Sequence, residues 1–272
     1  MRLRVATCAV LPEPDADEAP LAAALTRAGF DHELVAWDDP SVDWDAPIPT
    51  IIRSTWNYAL DVTAYLAWID RAAKSAAIWN PPSIVRGNVH KRYLLELAAR
   101  GVPVVPTTLV EPGATIAVQS QRVVIKPEVG AGSLNARVFE AGDIAAIAHC
   151  ASITARGAAL VQPYLRSVED YGERSLVWID GELSHAIRKS PRFSGDNETV
   201  SGPMPIGDDE RAVALAALAP IANQILYARC DLARDEQGQP MVMELELVEP
   251  SLFFAKHPPA ADRFVAALAR RL

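Results

Sequence analysis

Cysteine is scarce in this chain. Cys8, Cys150 and Cys230 lie far apart with no CxxC pair, which argues against a disulfide framework or a thiolate zinc site and fits a reducing compartment. The five histidines are scattered, with no HExxH or similar spacing. No apolar run approaches a membrane span. The N-terminal stretch MRLRVATCAVLPEPDADEAP turns to proline and acids after a short apolar run, as a first strand does and a signal peptide does not. Positive charge is in deficit as well: the formal net charge is −8, so nucleic acid and anionic membranes are not expected partners. Internal repeats and low-complexity linkers are also missing. The expected location is the cytoplasm.

What is present is a large apolar fraction: half of the 272 residues are hydrophobic, enough for one large domain or two to three small ones. Along the first 85 or so residues strand and helix signals alternate. LRVATCAVL reads as a strand, PLAAALTRAGF as a helix ending near Gly29, and HELVAW and TIIRSTW as strands. Such alternation predicts an open parallel sheet flanked by helices. NPPSIVRGN, rich in Pro, Gly and Asn, is the first candidate boundary.

Beyond it, Asn88 is placed to cap a helix whose Leu94, Leu95, Leu97 and Ala98 form an apolar face, ended by Gly101 and Pro103. Strands are predicted over 104–110, 121–126, 135–139 and 158–162, interrupted by a helix at about 141–150. GERSLVWIDGELSHAIRKSP reads as a hairpin around Asp180-Gly181. A long polar loop over 191–208, a helix over about 209–228, two strands flanking DEQGQP and a closing helix from about 259 complete the reading.

Three features can carry chemistry. Lys126 ends the apolar strand RVVIK and precedes a small-residue loop, Val129, Gly130, Ala131, Gly132 and Ser133. A buried ammonium needs an anion, and small residues let backbone N–H groups approach a phosphate. A snorkelling lysine before an ordinary turn is the bland alternative, and GxxxxGK(S/T) is absent. His90, Lys91 and Arg92 fall in the first turn of the predicted helix, where the macrodipole disfavours cations. Near the C-terminus, Glu244 and Glu246 share one face of a strand because side chains alternate. Asp231 lies across the turn. Three carboxylates suit magnesium, which prefers hard oxygen ligands; a solvated polar face is the alternative, against which stand Met241, Met243, Leu245 and Leu247 on the opposite side.

Taken in order, the basic helix start, strand lysine, small-residue loop, VQPYL, hairpin Glu-Arg, Arg-x-Asp and Glu-x-Glu resemble the ATP-grasp superfamily, nearest its glutathione synthetase and RimK-like branch. The match covers roughly residues 87–256. The resemblance implies an α/β fold (α+β in the ATP-grasp part): an N-terminal sheet domain over 1–86, a central subdomain with the phosphate loop over 87–162 and a C-terminal subdomain with the metal site over 163–272. It also implies roles. Lys91 and Lys126 hold the nucleotide phosphates, and residues 129–133 form the flexible loop that closes over them. Gln162, Pro163, Tyr164 and Leu165 form the adenine hinge, and Glu173 binds the ribose hydroxyls. Arg188 lies near the transferred phosphate, Arg229 faces the acyl intermediate, and Asp231, Glu244 and Glu246 bind Mg2+, two ions in the family pattern. Two departures stand out. Glu246 replaces the usual Asn, and Gln162-Pro163 replaces the commoner Glu-Lys, which leaves base recognition to the main chain.

Within the superfamily, IRSTWNY (52–58), WNPP (79–82), HKRYLLELAARGVPVVPT (90–107) and ELELVEPSLFF (244–254) resemble the small ligases typified by D-cycloserine synthetase, an O-ureidoserine cyclo-ligase. The implied activity is ATP-dependent joining of a carboxylate and an amine through an acyl phosphate, on a small amino-acid-like substrate. Arg53, Ser54, Thr55, Trp56 and Tyr58 become substrate-site candidates, because ligands lie at the carboxyl ends of strands in open α/β sheets; a structural salt bridge with packed aromatics is the alternative. Intermolecular amino-acid or peptide ligation and a non-catalytic nucleotide-binding regulatory module are the competing functions. A homodimer is a family-level expectation.

Overall fold

The computed structural model describes residues 1–132, 134–190 and 199–272. Three sheets organise the chain. The first is parallel, in the order β2-β1-β3-β4, and is built from β1 (Arg2–Thr7), β2 (Asp31–Ala36), β3 (Thr50–Ile52) and β4 (Ile78–Trp79), with α1 (Glu18–Arg27) and α2 (Val62–Ser75) between strands. This is the predicted open parallel sheet. Asp61 caps α2 by accepting from Ala64 N at 2.9 Å, the usual satisfaction of an orphan amide at a helix start.

Most of the NPPSIVRGN stretch is helical: α3 spans Pro82–Asn88, opened by proline at its first position. Asn88 therefore ends a helix and does not cap the next one. Its amide turns inward, donating to Leu245 O at 2.7 Å and accepting from Leu247 N at 2.8 Å. The basic triplet 90–92 forms the turn leading into α4 (Tyr93–Ala99), so the cations precede the helix and do not occupy its first turn.

The second sheet, β5-β8-β6-β7, is antiparallel and comprises β5 (Thr108–Val110), β6 (Val123–Pro127), β7 (Arg137–Phe139) and β8 (Ala159–Pro163). One face is covered by α5 (Ala145–Thr154), whose Ala146, Cys150 and Ile153 join Val123, Ile125 and Val161 in a small core. The short helix α6 (Ser167–Asp170) leads to the third sheet, β11-β10-β9-β12-β13. This sheet contains β9 (Glu173–Ile179), β10 (Glu182–Lys189), β11 (Val200–Met204), β12 (Tyr227–Arg234) and β13 (Pro240–Glu246). Asp180 and Gly181, at φ +44° and +98°, make the tight turn between β9 and β10, the left-handed geometry for which Asp-Gly is suited.

Two elements differ from the sequence expectation. Part of the expected 191–208 loop is strand β11, paired with the edge of β10; residues 191–198 lie outside the described residues. Helix α7 runs only over Asp208–Leu218, since Pro220 ends the helical pattern before β12. It packs with α4 against Leu176, Trp178, Cys230, Leu232 and Leu245 of the third sheet. α8 (Pro259–Ala269) covers the opposite side together with α1, merging Leu3, Val5 and Ile51 of the first sheet with Val177, Ile179 and Tyr227 of the third. No described helix is long and apolar enough to cross a membrane.

Asn80 fastens this merged core. Fully buried, it donates to Tyr227 O (2.9 Å) and Leu247 O (2.7 Å) and accepts from Leu226 N (2.8 Å). Removing such an amide leaves buried backbone groups without partners, each costing about 1–3 kcal/mol. Asn80→Ala is expected to lower unfolding stability by about 3 kcal/mol, read as a reduced urea midpoint at unchanged slope.

Candidate active site

The third sheet has one apolar face and one charged face, and strand parity decides which side chain goes where. Leu176, Trp178, Cys230, Leu232 and Leu245 point to α4 and α7. Alternation puts Glu173, Lys189, Arg229, Asp231, Glu244 and Glu246 on the other face. Register then makes cross-strand neighbours of Asp231 and Glu244, of Arg229 and Glu246, and of Glu173 and Lys189.

Each carboxylate on this face meets a cation. Glu244 Oε1 accepts from Lys126 Nζ at 2.6 Å, and its Oε2 lies 3.4 Å from Lys91 Nζ. Asp231 receives Arg229 at 2.8–3.2 Å and Lys189 at 3.1 Å. Glu246 receives Arg229 at 2.5 Å, and Glu173 pairs with Lys189. Among the described residues no three carboxylate, histidine or cysteine side chains close into a metal cage; Asp231, Glu244 and Glu246 share the face but turn toward cations.

These contacts set the protonation states. Burial disfavours the Glu244 carboxylate, but Lys126 and Lys91 outweigh it and bring its pKa down to about 2. Burial likewise opposes ionisation of Asp231, and Arg229 and Lys189 reverse it, holding the carboxyl below its ordinary range. Lys91 loses by burial and gains more from Glu244, Glu246 and Glu249, so it stays charged. Glu246 is raised, because burial and the charges of Asp231 and Glu244 exceed the help from Arg229.

Lys126 and Lys91, thirty-five positions apart, thus reach one carboxylate. The turn of Lys91 is stitched to the strand of Lys126: Lys91 N donates to Glu128 O at 2.9 Å, and Lys91 Nζ donates to Gly130 O at 3.0 Å. In the loop beyond, Val129 and Ala131 pack on the core beneath the first sheet's strands and α2, and Gly132 is at φ +58°. Ser133 lies outside the described residues. At the far end of the second sheet, Gln162 Nε2 donates to Thr107 Oγ1 at 2.9 Å. Next to Pro163, Tyr164 stacks under Arg122 at 3.8 Å, and the carbonyl of Leu165 accepts from Val168 N.

Arg188 stands apart from the cluster. Parity turns it to the helix-covered face, where it donates to Asp170 O and passes beside Gly172; the adjacent Lys189 enters the charged face instead. The register decides it, since Lys189 pairs with Glu173 and Arg188 with Arg174. All five candidates from IRSTWNY follow the carboxyl end of β3. Arg53 is buried between Asp17 (3.5 Å) and Pro250 O (2.6 Å). Ser54 bonds Thr7, Thr55 bonds Tyr65, and Tyr58 packs against Tyr65. Trp56 reaches the site side, donating to Glu249 O at 3.0 Å. Asp17, which the sequence did not single out, clamps the chain beyond β13: its carboxylate accepts from Leu252, Phe253 and Phe254 N at 2.5–3.1 Å.

Comparison with known proteins decides the family. The chain is 36% identical to the cycloserine biosynthesis protein DcsG of Streptomyces lavendulae over 99% of its own length and 98% of the relative's. The chain belongs to the D-cycloserine synthetase family of ATP-grasp ligases. Residues 3–80 match the family model for the N-terminal domain of D-cycloserine synthetase DcsG. The crystal structure of D-cycloserine synthetase DcsG superposes with a TM-score of 0.90, covering 100% of this chain and 99% of that one at 36% identity. D-alanine–D-alanine ligase from Bacillus anthracis shares the fold at a TM-score of 0.72 and 13% identity, over 99% and 96% of the two chains. This protein is accordingly an ATP-grasp ligase, forming a C–N bond as ATP is converted to ADP.

Two outcomes are expected from the charged face. Glu244, at about 2 when folded against an ordinary 4.5, stabilises the fold above pH 4.5 and loses that effect as pH falls toward 2. The stability advantage of the wild type over Glu244→Gln is therefore expected to shrink between about pH 5 and pH 2, measured by urea midpoints. Lys189→Ala is expected to lower ligase turnover about 100-fold, whereas Arg188→Ala stays within about threefold, measured side by side as ADP release.

Proposed function

We propose that the chain activates the carboxyl group of a small amino-acid-like molecule as an acyl phosphate and closes an amide bond onto a nitrogen of the same molecule, as in cycloserine formation. One observation carries this reading: Lys91 and Lys126 converge on Glu244, so the cations for a phosphate chain and the carboxylates for a metal meet in one place. Residues 1–86 supply the substrate wall, 87–162 the phosphate grip and 163–272 the metal strand.

The donor set fits magnesium. Asp231, Glu244 and Glu246 are hard oxygen ligands on one sheet face, and the partners of Glu244, Lys91 and Lys126, are cations that a phosphate chain would draw away. Two ions held by these three side chains would neutralise charge on the phosphates. Lys91 and Lys126 bind phosphate oxygens, and Lys189 orients Asp231. Gln162 to Leu165 offer main-chain groups to the base, with Glu173 near the ribose.

Phosphoryl transfer needs alignment and charge neutralisation more than covalent help from the protein. The lysines supply both by holding the terminal phosphate against the substrate carboxylate. Residues 129–132 shield the acyl phosphate from water. In the second step the nitrogen lone pair forms the C–N bond and the C–O bond to phosphate breaks with its electrons going to phosphate. The proton lost from nitrogen ends on that phosphate. Arg229 faces the oxyanion formed between these events.

The test is ADP release over a panel of amino acids that includes O-ureidoserine, with hydroxylamine present to trap an acyl phosphate as hydroxamate. Release without any hydroxamate or amide sinks the proposal. Lys126→Ala is expected to abolish phosphate release while its thermal melt stays that of a folded protein; wild-type turnover in that variant would be equally fatal.

A further inference from the structure

A cleft of about 200 Å3 opens between α1 and the edge strand β2, with Val5 of β1 behind it. Leu21 and Ala22 of α1 and Leu34 of β2 give it apolar walls, Asp15, Glu18 and His32 add polar groups, and Arg53 lies at its inner end. No lysine, arginine or carboxylate of the charged face lines it. Against about 30 Å3 for a water in the liquid, the space suits a molecule of about six to eight heavy atoms and excludes a nucleotide.

Arg53 gives the cleft its chemistry. Its guanidinium is always charged, yet the residue is only 2% exposed. Nη2 donates to Pro250 O at 2.6 Å and lies 3.5 Å from Asp17 Oδ2, and the ring of Tyr227 lies 5.4 Å from the guanidinium carbon. Nε and Nη1, by contrast, are buried without a hydrogen-bond partner. Asp17 is the one carboxylate paired with Arg53 among the described residues, and its oxygens are spent on the amides of Leu252, Phe253 and Phe254. Buried donors left unmatched are costly, so an occupant that brings an acceptor is favoured.

The outer part of the cleft carries the opposite charge. Glu18 is exposed and has no ion pair among the described residues, and half-buried Asp15 uses Oδ1 on Asp17 N at 2.9 Å. A simple anion that reached Arg53 would be repelled by these two acids. A simple cation would suit the acids and leave the Arg53 donors as they are. A molecule with a carboxylate at one end and an ammonium beside it serves both.

We propose that this cleft is a second small-molecule site, apart from the charged face, that takes one small apolar amino acid as its zwitterion. The carboxylate accepts from the Arg53 guanidinium, the ammonium donates to Glu18 and Asp15, and the side chain lies against Leu21, Ala22 and Leu34. No bond is made or broken there, and the site stands whether or not the ligase reading above holds.

Titration calorimetry without nucleotide tests it with valine, with 3-methylbutanoate, which lacks the ammonium, and with isobutylamine, which lacks the carboxylate. Valine is expected to bind at least about tenfold more tightly than either analogue. No binding of valine, or an analogue that binds as well, would overturn the assignment. Two variants then locate the site. Ala22→Leu fills the cleft with a good helix former and is expected to abolish valine binding, whereas Lys126→Ala, on the charged face, keeps it within about threefold. Binding that survives in Ala22→Leu or is lost in Lys126→Ala overturns the site. If the melt shows that Ala22→Leu does not fold, Glu18→Gln takes its place: valine is expected to weaken at least about threefold while 3-methylbutanoate does not, and unchanged valine affinity counts against the site. None of these readings involves ATP turnover, so their failure is distinct from failure of the ligase reading.

Discussion

The shared carboxylate of Glu244 is the contact on which the arrangement depends. It sits on β13, yet its two partners come from the turn before α4 and from the end of β6. One side chain therefore ties together the three segments that form the site. Desolvating a carboxylate and two ammonium groups is unfavourable unless they meet, so each makes burial of the others tolerable. On the proposed function the same arithmetic makes the cluster responsive: a triphosphate would offer the lysines stronger partners and a divalent cation would do so for the acids.

The rest of the site follows from strand parity and from a second layer of neutral clamps. Arg229 and Asp231 meet because they are two positions apart on one strand, and Glu246 joins through the cross-strand register. Behind them, Asn80, Asn88 and Tyr227 satisfy main-chain groups around the end of β13. Asp17 does the same for residues 252–254. The charged residues can be crowded on one face because the backbone beneath them is held by side chains without net charge, apart from Asp17.

Much of this was legible in the sequence. The apolar face of ELELVEP against its acidic face, the Asp180-Gly181 turn and the lysine ending RVVIK each obey local rules, and the order of motifs joined them into a family. What escaped was what local rules do not contain. Asn88 looks like a helix cap because Asn favours that role, but its amide is used 157 residues away. Arg188 and Lys189 are chemically alike, and only the register of β10 on β9 decides which of them turns to the site. Asp17 lies outside any periodic pattern, and its partners, the amides of residues 252–254, meet it only once the N-terminal part of the chain packs against that segment.

The amide of Asn80 and the hydroxyl of Tyr227 cross the border between the first sheet and the third, and α1 and α8 fill the same core together. The modular boundary in the sequence is therefore not a boundary in cohesion. A fragment ending at residue 86 would carry away Asn80 and expose Leu3, Val5 and Ile51, while the remainder would lose the Asp17 clamp on residues 252–254. Exchange of this N-terminal unit between relatives, as a means of changing substrate, would have to carry the facing residues of β12 and the 247–254 segment with it.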